Sequence, residues 1–532
     1  MRRPDFSKQM HRRNHGDALV EVMDTTLRDG EQTPGVSFSP GEKLEIARLL
    51  LDRLHVDRME VASAGCSEGD REAVRAVIDW AERREHLEAV EILGFIDNGK
   101  SVEWVRSVGG RVINLLAKGS ERHCRIQLKR TPARHFDDIC REIELAASAG
   151  LKVNLYLEDW SNGMRENFSY VSGLVGRLAG MPVERFMLAD TLGVLTPADV
   201  TRYFDWMYHL CGDARFDFHG HNDYGLATAN SLAAVCAGAD GIHVSVNGLG
   251  ERAGNQTLQQ LVVAVNDLSN RRTRVAEREL QHATDLIQSL SGKRCAWNTP
   301  VVGADVYTQT CGVHADGDKK GGLYMNRLLP ERFGRQRDYA LGKLSGKASI
   351  DQNLDAVPGG AELDSEIREK VLREVVRLGD RKKAVTAADL PFIIAGVLHT
   401  PSRMRIQVMD FTSVSGRSAA PRVTLKLRVD DQIVETGSEG DGGYDAFVKA
   451  LRKGLRRFGL KCPRLSDYEV RIPPGGRTDA LVETTITWHL GGGRTLVTTG
   501  IDSDQLAAAV QATEKMLNTA VLPPENPQEN YG

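Results

Sequence analysis

Short apolar runs, each about the length of a β-strand, recur eight times in the first half of the chain. They lie at residues 20–23, 58–62, 90–95, 112–116, 153–157, 186–189, 216–219 and 242–246. The segments between them carry apolar residues at helical spacing, as Leu44, Ala47, Leu50 and Leu51 show within residues 40–54. Strict alternation of strands and helices predicts a parallel sheet, because each pair of parallel strands needs a crossover connection.

Eight strand–helix units of this kind most often close into a (β/α)₈ TIM barrel. The predicted α/β fold is therefore a TIM barrel over residues 18–275, close to the roughly 250 residues that such a barrel usually takes. An open, doubly wound sheet is the alternative, although it would normally contain fewer units.

The remainder of the chain predicts two further regions. Linker subdomains are expected at 276–400, where a Gly-rich stretch lies at 312–322 between two helical segments. A separate α+β domain is expected at 401–523, because β alternation at 423–429 and 481–488 is combined with helical periodicity. The predicted helices of these two regions are 276–290, 365–378, 445–458 and 504–519.

Both ends of the chain predict disorder. Residues 1–17 form a basic tail without the apolar core of a secretory signal, and residues 524–532 are polar and lack apolar periodicity. The 532 residues carry 69 basic and 72 acidic side chains, so nucleic acid or an anionic membrane is not expected as the main partner. No apolar run reaches the ~18 residues of a membrane-spanning helix.

The eight cysteines are scattered and contain no Cys-x-x-Cys pair. Reduced thiols in a cytoplasmic protein fit this pattern better than disulfides or a zinc-thiolate site. Cysteine is therefore not expected to carry the chemistry.

Four potential metal ligands follow the first, seventh and eighth predicted strands. His219 and His221 are alternate residues and should share one face. In a closed barrel the first strand is the second neighbour of the seventh, which brings Asp29 towards them, and Asn255 follows the eighth strand. This mixed nitrogen and oxygen set suits Mg²⁺, Mn²⁺, Co²⁺ or Zn²⁺. An isolated His-x-His pattern is otherwise often a surface strand pair.

Two further polar residues are candidates for catalysis. Arg28 precedes Asp29 at the barrel rim, where a guanidinium could neutralise a developing oxyanion or clamp a carboxylate. A salt bridge to a rim carboxylate is the alternative for Arg28. Glu158 ends the fifth strand and could act as a base or orient one, but Asp159 is a rival, since only one of the two faces the barrel axis.

Three motifs, at residues 24–32, 219–223 and 247–255, together carry a resemblance to a known family. The chain is similar to the metal-dependent enzymes that join an acyl-CoA to a keto acid in a Claisen condensation, which include 2-isopropylmalate, homocitrate and citramalate synthases. The resemblance runs over about 23–518. Segments 156–163, 311–318 and 467–476 are most similar to the citramalate synthases within that family.

The resemblance implies a metal bound by Asp29, His219 and His221, with Asn255 at or near it. It also implies pyruvate and acetyl-CoA as substrates and (R)-citramalate as product, on a route to isoleucine. Catalytic residues would be Arg28, Glu158 and His314. The keto-acid site would contain Arg28, Leu93, Leu116, Tyr156, Glu158 and Thr191. Leu93 and Leu116 would close an apolar pocket around the methyl group of pyruvate, although leucines also simply fill barrel interiors.

The segment after the barrel is implied to bind the acyl-CoA. In the family this segment reaches the site of a neighbouring subunit, so a homodimer is expected. The acetyl-CoA contacts would be His314, Asp316, Leu323 and Tyr324.

The C-terminal domain resembles the allosteric module of these synthases, with isoleucine as the expected effector. Its predicted contacts are Tyr444, Asp445, Leu465, Tyr468, Ile472, Val482 and Gln505, most of which would otherwise be ordinary core or dimer residues. Three other functions remain open: 2-isopropylmalate synthesis, retro-Claisen or retro-aldol cleavage, and a catalytically silent amino-acid sensor.

Overall fold

A computed structural model describes residues 19–310, 312–355, 360–380, 385, 389–398, 405–416, 419–472, 482–491 and 494–520. The chain divides into two compact units. The first unit comprises residues 1–307 and 326–336, and the second comprises 308–325 and 337–532. The predicted disordered tails lie outside the described residues.

The first unit is a closed barrel of eight parallel strands, neighbouring in chain order, which confirms the predicted TIM fold. The first and eighth strands pair with Glu21 opposite Gly241 and Asp24 opposite Val244, so the sheet has no open edge and the doubly wound alternative is wrong. The strands are β1 (Glu21–Asp24), β2 (Arg58–Ser63), β3 (Val90–Phe95), β4 (Val112–Lys118), β5 (Lys152–Glu158), β6 (Arg185–Asp190), β7 (Phe216–Gly220) and β8 (Gly241–Val244).

Helices follow the strands and surround the barrel. They are α1 (Pro40–Arg48), α2 (Glu68–Arg83), α3 (Lys100–Ser107), α4 (Glu121–Ile126), α5 (Pro132–Ser148), α6 (Trp160–Glu166), α7 (Phe168–Leu178), α8 (Pro197–Leu210), α9 (Ala227–Cys236), α10 (Leu258–Leu268) and α11 (Leu280–Ser291). Helix α1 begins with a capping box between Ser39 and Glu42, and Pro40 occupies its first turn. The predicted helix at 40–54 continues as a π-helical turn at Leu49–Arg53.

The apolar core of the barrel unit lies between the strands and the surrounding helices. The interior near the amino-terminal ends of the strands is charged instead. Arg58 donates to Glu91 at 2.9 Å and also to Asp217, while Arg185 contacts Asp217 at 3.0 Å and Glu21 at 2.9 Å. Buried ions of both signs therefore fill this end of the barrel, each with an oppositely charged partner.

The second unit contains two three-stranded antiparallel sheets, in the orders β11-β12-β13 and β14-β15-β16, and a two-stranded parallel sheet β9-β10. Its strands are β9 (Thr308–Gln309), β10 (Asp338–Tyr339), β11 (Ile406–Gly416), β12 (Ala419–Val429), β13 (Gln432–Glu439), β14 (Arg464–Arg471), β15 (Val482–Gly491) and β16 (Arg494–Asp502). Its helices are α12 (Gly312–Lys319), α13 (Lys347–Asp355), α14 (Ser365–Asp380), α15 (Leu390–Val397), α16 (Gly443–Arg456) and α17 (Gln505–Ala520).

Helices α16 and α17 pack on these sheets around one apolar core, which includes Phe447, Leu451, Trp488 and Met516. A smaller apolar cluster joins α13, α14 and α15. The Gly-rich stretch at 312–322 is helical over its first eight residues. Among the described residues, no helix combines the length and the apolar character needed to span a bilayer.

Candidate metal centre and active site

The loop after β1 is a compact turn that holds Arg28 and Asp29. The carbonyl oxygen of Thr25 accepts hydrogen bonds from the backbone N–H groups of Arg28, Asp29 and Gly30 at 3.1, 2.8 and 3.0 Å. Thr26 ties this turn to the neighbouring chain after β8, because its hydroxyl accepts from the backbone N–H of Val246 at 2.8 Å. The positions of Arg28 and Asp29 are thus set by backbone contacts at the carboxyl end of the barrel.

Asp29, His219 and His221 meet at this end of the barrel. His219 Nε2 lies 3.3 Å from Asp29 Oδ2 and 3.4 Å from His221 Nε2, and all three side chains are buried. Among the described residues, they form a group whose possible ligand atoms lie within 4.8 Å of one another. Ligand atoms about 2.1 Å from one ion are roughly 3.0–3.5 Å apart at octahedral or tetrahedral angles, so the spacing suits a single ion.

Asn255 is brought to the two histidines by a loop that pairs with the end of β7. His221 and Asn255 form an antiparallel bridge, and the backbone N–H of Asn222 donates to the carbonyl of Gly254 at 2.9 Å. Gly254 has a φ of +86°, and a Cβ there would lie 2.1 Å from the carbonyl oxygen of Gly248. Only glycine permits this close approach, which explains its place immediately before Asn255.

The protonation states of the cluster favour a cation. Burial by itself would raise the pKa of Asp29, but the Arg28 guanidinium and the His219 hydrogen bond hold it well below its usual value. Burial, with His219 nearby, lowers the pKa of His221 to about 4. Asp29 is therefore ionised and His221 neutral near pH 7, the forms in which both bind metals.

Unpartnered polar atoms provide an independent test of the fit. Asn255 is buried, and neither its amide nitrogen nor its carboxamide oxygen has a hydrogen-bond partner among the described residues. A buried carboxamide without partners is costly, so this arrangement calls for a further group at the site. The donor set of two imidazoles, one carboxylate and one carboxamide oxygen fits a divalent ion.

Arg28 is fixed by Glu60, a fully buried residue of β2 that the sequence analysis did not identify. The Nε–H of Arg28 donates to Glu60, whose other oxygen accepts from Asn114 Nδ2 at 2.7 Å. Asn154 continues the chain of hydrogen bonds by donating to Asn114 at 2.8 Å. Burial alone would lower the pKa of Arg28, but Glu60 and Asp29 raise it above its usual value. The guanidinium is permanently charged and held beside the candidate ligand.

Glu158 and Asp159 point to different partners, as alternation along β5 predicts. Glu158 is half-buried and pairs with Lys118 at the end of β4, a cation that the sequence analysis did not identify. Asp159 is buried, accepts from the Ser120 hydroxyl at 2.6 Å and lies 3.4 Å from His123 Nε2. Asp159 therefore braces the loops at the barrel rim, whereas Glu158 pairs with a cation at the end of β4.

An apolar layer inside the barrel contains both predicted leucines. Leu93 clusters with Met23, Tyr156 and Met187, and Leu116 packs against this cluster. The aromatic ring of Tyr156 stands edge-on to that of His219 at 5.9 Å between centroids. The layer thus lies directly beside the candidate metal ligands.

The Tyr156 hydroxyl is held by a second buried histidine. It lies 3.0 Å from His243 Nδ1, and His243 Nε2 lies 3.3 Å from Asp217. Burial lowers the pKa of His243 to about 3, whereas Arg58 and Arg185 outweigh burial and hold that of Asp217 well below its usual value. The neutral imidazole of His243 must therefore donate a hydrogen bond from Nε2 to the Asp217 carboxylate. Its Nδ1 then accepts a hydrogen bond from the Tyr156 hydroxyl.

Arg252 joins three loops at the barrel rim, those after β6, β7 and β8. The sequence analysis did not identify this residue. Its guanidinium forms two hydrogen bonds to the Asp223 carboxylate, at 2.8 and 3.0 Å, and a third to the backbone carbonyl of Thr191 at 2.7 Å. The Thr191 hydroxyl in turn accepts from the backbone N–H of Asp159 at 2.8 Å. Thr191 is thus a rim residue that links the ends of β5 and β6.

Comparison with known proteins gives the family. The sequence model of the HMGL-like family matches residues 19–287, about half of the chain. A Methanocaldococcus jannaschii protein named "(R)-citramalate synthase CimA" is 32% identical over 94% of this chain and 99% of its own length. A Methanopyrus kandleri protein named "Putative (R)-citramalate synthase CimA" is 35% identical over 88% of this chain and 89% of its own.

The chain belongs to the HMGL-like family. A second Methanopyrus kandleri protein, named "Probable 2-isopropylmalate synthase", is 33% identical over 94% of this chain and 98% of its own length. The solved HMG-CoA lyase of Brucella melitensis is 20% identical, with a TM-score of 0.45, over 52% of this chain and 99% of that one. The sequence model of the LeuA allosteric (dimerisation) domain matches residues 384–521.

The predicted acyl-CoA contacts of this HMGL-like chain lie in its second unit. The rings of His314 and Tyr324 are 4.2 Å apart between centroids and inclined by 32°. His314, Leu323 and Tyr324 are exposed. Asp316 falls within α12, but its side chain lies outside the described residues. The described part of this segment therefore presents an exposed histidine–tyrosine pair.

The structure brings together three of the predicted effector contacts. The rings of Tyr444 and Tyr468 are 4.9 Å apart, and the side chain of Gln505 lies near enough to Tyr468 to act on the pKa of its hydroxyl, which burial raises. The other four are placed differently: Asp445 pairs with Lys449 on its own helix, Leu465 and Ile472 are exposed, and Val482 begins β15.

Proposed function

We propose that this chain is an (R)-citramalate synthase. It would condense acetyl-CoA with pyruvate and hydrolyse the thioester, giving (R)-citramalate and CoA. The observation that carries the proposal is the buried Asp29–His219–His221 cluster, with Arg28 on one side and the Leu93–Tyr156 layer on the other. Relatives that bear this name and are similar to nearly the whole chain support the choice.

A divalent ion at this cluster would supply Lewis-acid polarisation of a keto acid's carbonyl group. Asp29, His219 and His221 would hold it, with Asn255 as a further oxygen donor. Arg28 lies 3.4 Å from Asp29 and keeps its charge, so it can stabilise negative charge that develops on the acceptor's oxygen. Glu158 can take a proton, and Lys118 keeps its carboxylate in place.

Pyruvate is the proposed acceptor because the pocket beside the cluster is closed by large apolar side chains. Leu93, Leu116 and Met187 form an apolar surface that suits a methyl group, and none of the three is a cation that could pair with a second carboxylate. Discrimination by a single methylene amounts to about 1–3 kcal/mol, so a preference of tenfold or more is expected over longer keto acids.

The second candidate is 2-isopropylmalate synthesis, which the relative of that name favours. The acceptor would then be 2-oxoisovalerate, whose isopropyl group must fit against the same leucines. The two functions differ only in the acceptor.

A panel of keto acids separates these candidates. Purified protein is incubated with acetyl-CoA, a divalent ion and pyruvate, 2-oxobutyrate or 2-oxoisovalerate, and free CoA is measured with a thiol reagent. Release with pyruvate should exceed release with 2-oxoisovalerate at least tenfold and stop on addition of EDTA. The opposite preference would establish 2-isopropylmalate synthesis, and no release with any acceptor would reject both. The Asp29→Asn variant is the inactive control.

We further propose isoleucine as an allosteric inhibitor and a homodimer as the working form, on the basis of the matched LeuA domain and the Tyr444–Tyr468–Gln505 group. Isoleucine should bind in calorimetry and lower citramalate synthesis, whereas leucine should do so more weakly. Tyr468→Ala should lose inhibition and keep basal turnover.

Sedimentation at micromolar concentration should give twice the 58.5 kDa chain mass.

A further inference from the structure

The segment 119–134, here called the basic segment, follows β4 and carries a local excess of positive charge. It contains five arginine or lysine residues and one acid, although the whole chain has a net charge of −3. A concentrated positive charge attracts anions to this part of the surface even though the protein as a whole is weakly acidic.

Two of these cations are already paired. Arg125 contacts Glu121 at 2.6 Å, and Arg134 contacts Asp138 at 3.2 Å. The other three are exposed, and among the described residues none has an ion pair or a side-chain hydrogen bond: Arg122, Lys129 and Arg130. Their charge is therefore available to a ligand.

The basic segment is a folded turn rather than a loose loop. Ser120 caps α4 by accepting from the backbone N–H of His123 at 3.3 Å. The chain then turns back, with the backbone N–H of Arg130 donating to the carbonyl of Cys124 at 3.1 Å. Lys129 adopts a φ of +52° within this turn. A fixed backbone presents its cations at a lower entropic cost on binding.

The basic segment is also attached to the residues of the proposed active site. The backbone N–H of Gly119 donates to the carbonyl of Glu158 at 2.6 Å, and the hydroxyl of Ser120 donates to Asp159. Arg122 follows Lys118 by four residues, so their Cα atoms are at most roughly 14 Å apart. The three free cations thus belong to the same end of the barrel as the metal cluster.

We propose that the basic segment binds the phosphate groups of the acyl-CoA substrate, with Arg122, Lys129 and Arg130 as the contacts. The ligand's identity rests on the proposed function, in which acetyl-CoA delivers its acetyl group to this end of the barrel. Its diphosphate and ribose phosphate lie at the far end of a long pantetheine arm and need cations some distance from the metal. Exposed Ile126 and Leu128 beside these cations offer apolar contact to that arm or to the adenine ring.

A triple variant tests the assignment: Arg122→Ser, Lys129→Asn and Arg130→Ser, with asparagine chosen because it tolerates a positive φ. The KM for acetyl-CoA should rise at least tenfold, whereas the KM for pyruvate should stay within twofold. With acetyl-pantetheine, which has no nucleotide phosphates, variant and wild type should have nearly equal kcat/KM. Arg111→Ser, an exposed arginine before β4 at the opposite end of the barrel, is the matched control. An unchanged KM for acetyl-CoA would overturn the proposal.

A binding measurement separates this proposal from the proposed reaction. Calorimetry with 3′,5′-ADP, which carries CoA's ribose phosphate, requires no turnover and should show binding that the triple variant loses. Such binding by a protein without synthase activity would reject the reaction and retain the phosphate site. Equal affinity for inorganic phosphate, or binding of a single-stranded oligonucleotide without binding of 3′,5′-ADP, would overturn the site.

Discussion

Asn255 is the residue whose environment most directly calls for a ligand, because both of its amide atoms are buried without partners in the part of the chain that the structure describes. Asn255→Ala should therefore weaken Mn²⁺ binding about 10- to 100-fold, the range found when groups supporting a metal site are removed. Asn255→Asp, which keeps an oxygen donor, should retain affinity. Mn²⁺ titration followed by electron paramagnetic resonance measures both, with Asn270→Ala, an exposed asparagine, as the control. Equal affinities in all four proteins would remove Asn255 from the site.

Glu60 acts through Arg28, so its substitution should separate catalysis from metal binding. Glu60→Gln keeps the shape of the side chain but removes one of the two buried anions, Glu60 and Asp29, that contact the Arg28 guanidinium. We expect kcat to fall about 10- to 100-fold while the Mn²⁺ dissociation constant changes little, and the melting temperature to fall because a buried ion pair loses one partner. A parallel loss of metal affinity would show instead that Glu60 supports the ligand cluster.

The sequence did not predict the contacts that Glu60, Lys118 and Arg252 make with candidate site residues. The meeting of the two histidines and Asp29 could be predicted because barrel topology brings the strand ends together. Glu60 lies inside β2, and its partners Arg28 and Asn114 come from the loop after β1 and from β4. A charged residue inside a strand can be recognised as part of a buried site only when its partners in the folded structure are known.

Strand boundaries were predicted within a few residues, because apolar runs separated by amphipathic segments specify parallel strands closely. The polar interior at the amino ends of the strands was not foreseen. Arg58, Glu91, Arg185 and Asp217 sit at core positions, where an apolar residue would ordinarily be expected, and mutual pairing makes their burial possible.

The pairing of β7 and β8 places His243 against Asp217 and should give folding stability a measurable dependence on pH. The His243 pKa is about 3 in the folded chain, against about 6.5 when unfolded, so between these values the unfolded state binds the additional proton. Acidification from pH 6.5 should therefore remove stability, by up to about 1.4 kcal/mol per pH unit from this residue.

Urea unfolding of wild type and His243→Gln between pH 4.5 and 7.5 checks this expectation. The free energy of unfolding should fall more steeply on acidification in the wild type than in the variant. Around pH 5.5 the difference between the two slopes should correspond to nearly one additional proton bound on unfolding. Parallel pH profiles would mean that His243 is protonated equally easily in both states.

At the scale of the whole molecule, metal binding should stabilise the barrel unit, because its ligands come from opposite ends of that unit's sequence. Free metal at about 100 times the dissociation constant should add about 2.7 kcal/mol to the free energy of unfolding. Melting followed by circular dichroism with Mn²⁺ and with EDTA measures the difference. His219→Ala should melt at the same temperature in both conditions, and an equal shift in that variant would place the ion elsewhere.

The closure of β1 onto β8 also bears on how the protein is made. Glu21 is synthesised long before its neighbour Gly241 exists, and Asp29 is synthesised long before its partner His219. A nascent chain on the ribosome must therefore keep its first strand unpaired on one edge for more than two hundred residues of elongation. Until then the unpaired edge can form non-native strand pairs or aggregate, and this is the stage at which chaperones can bind it for the longest time.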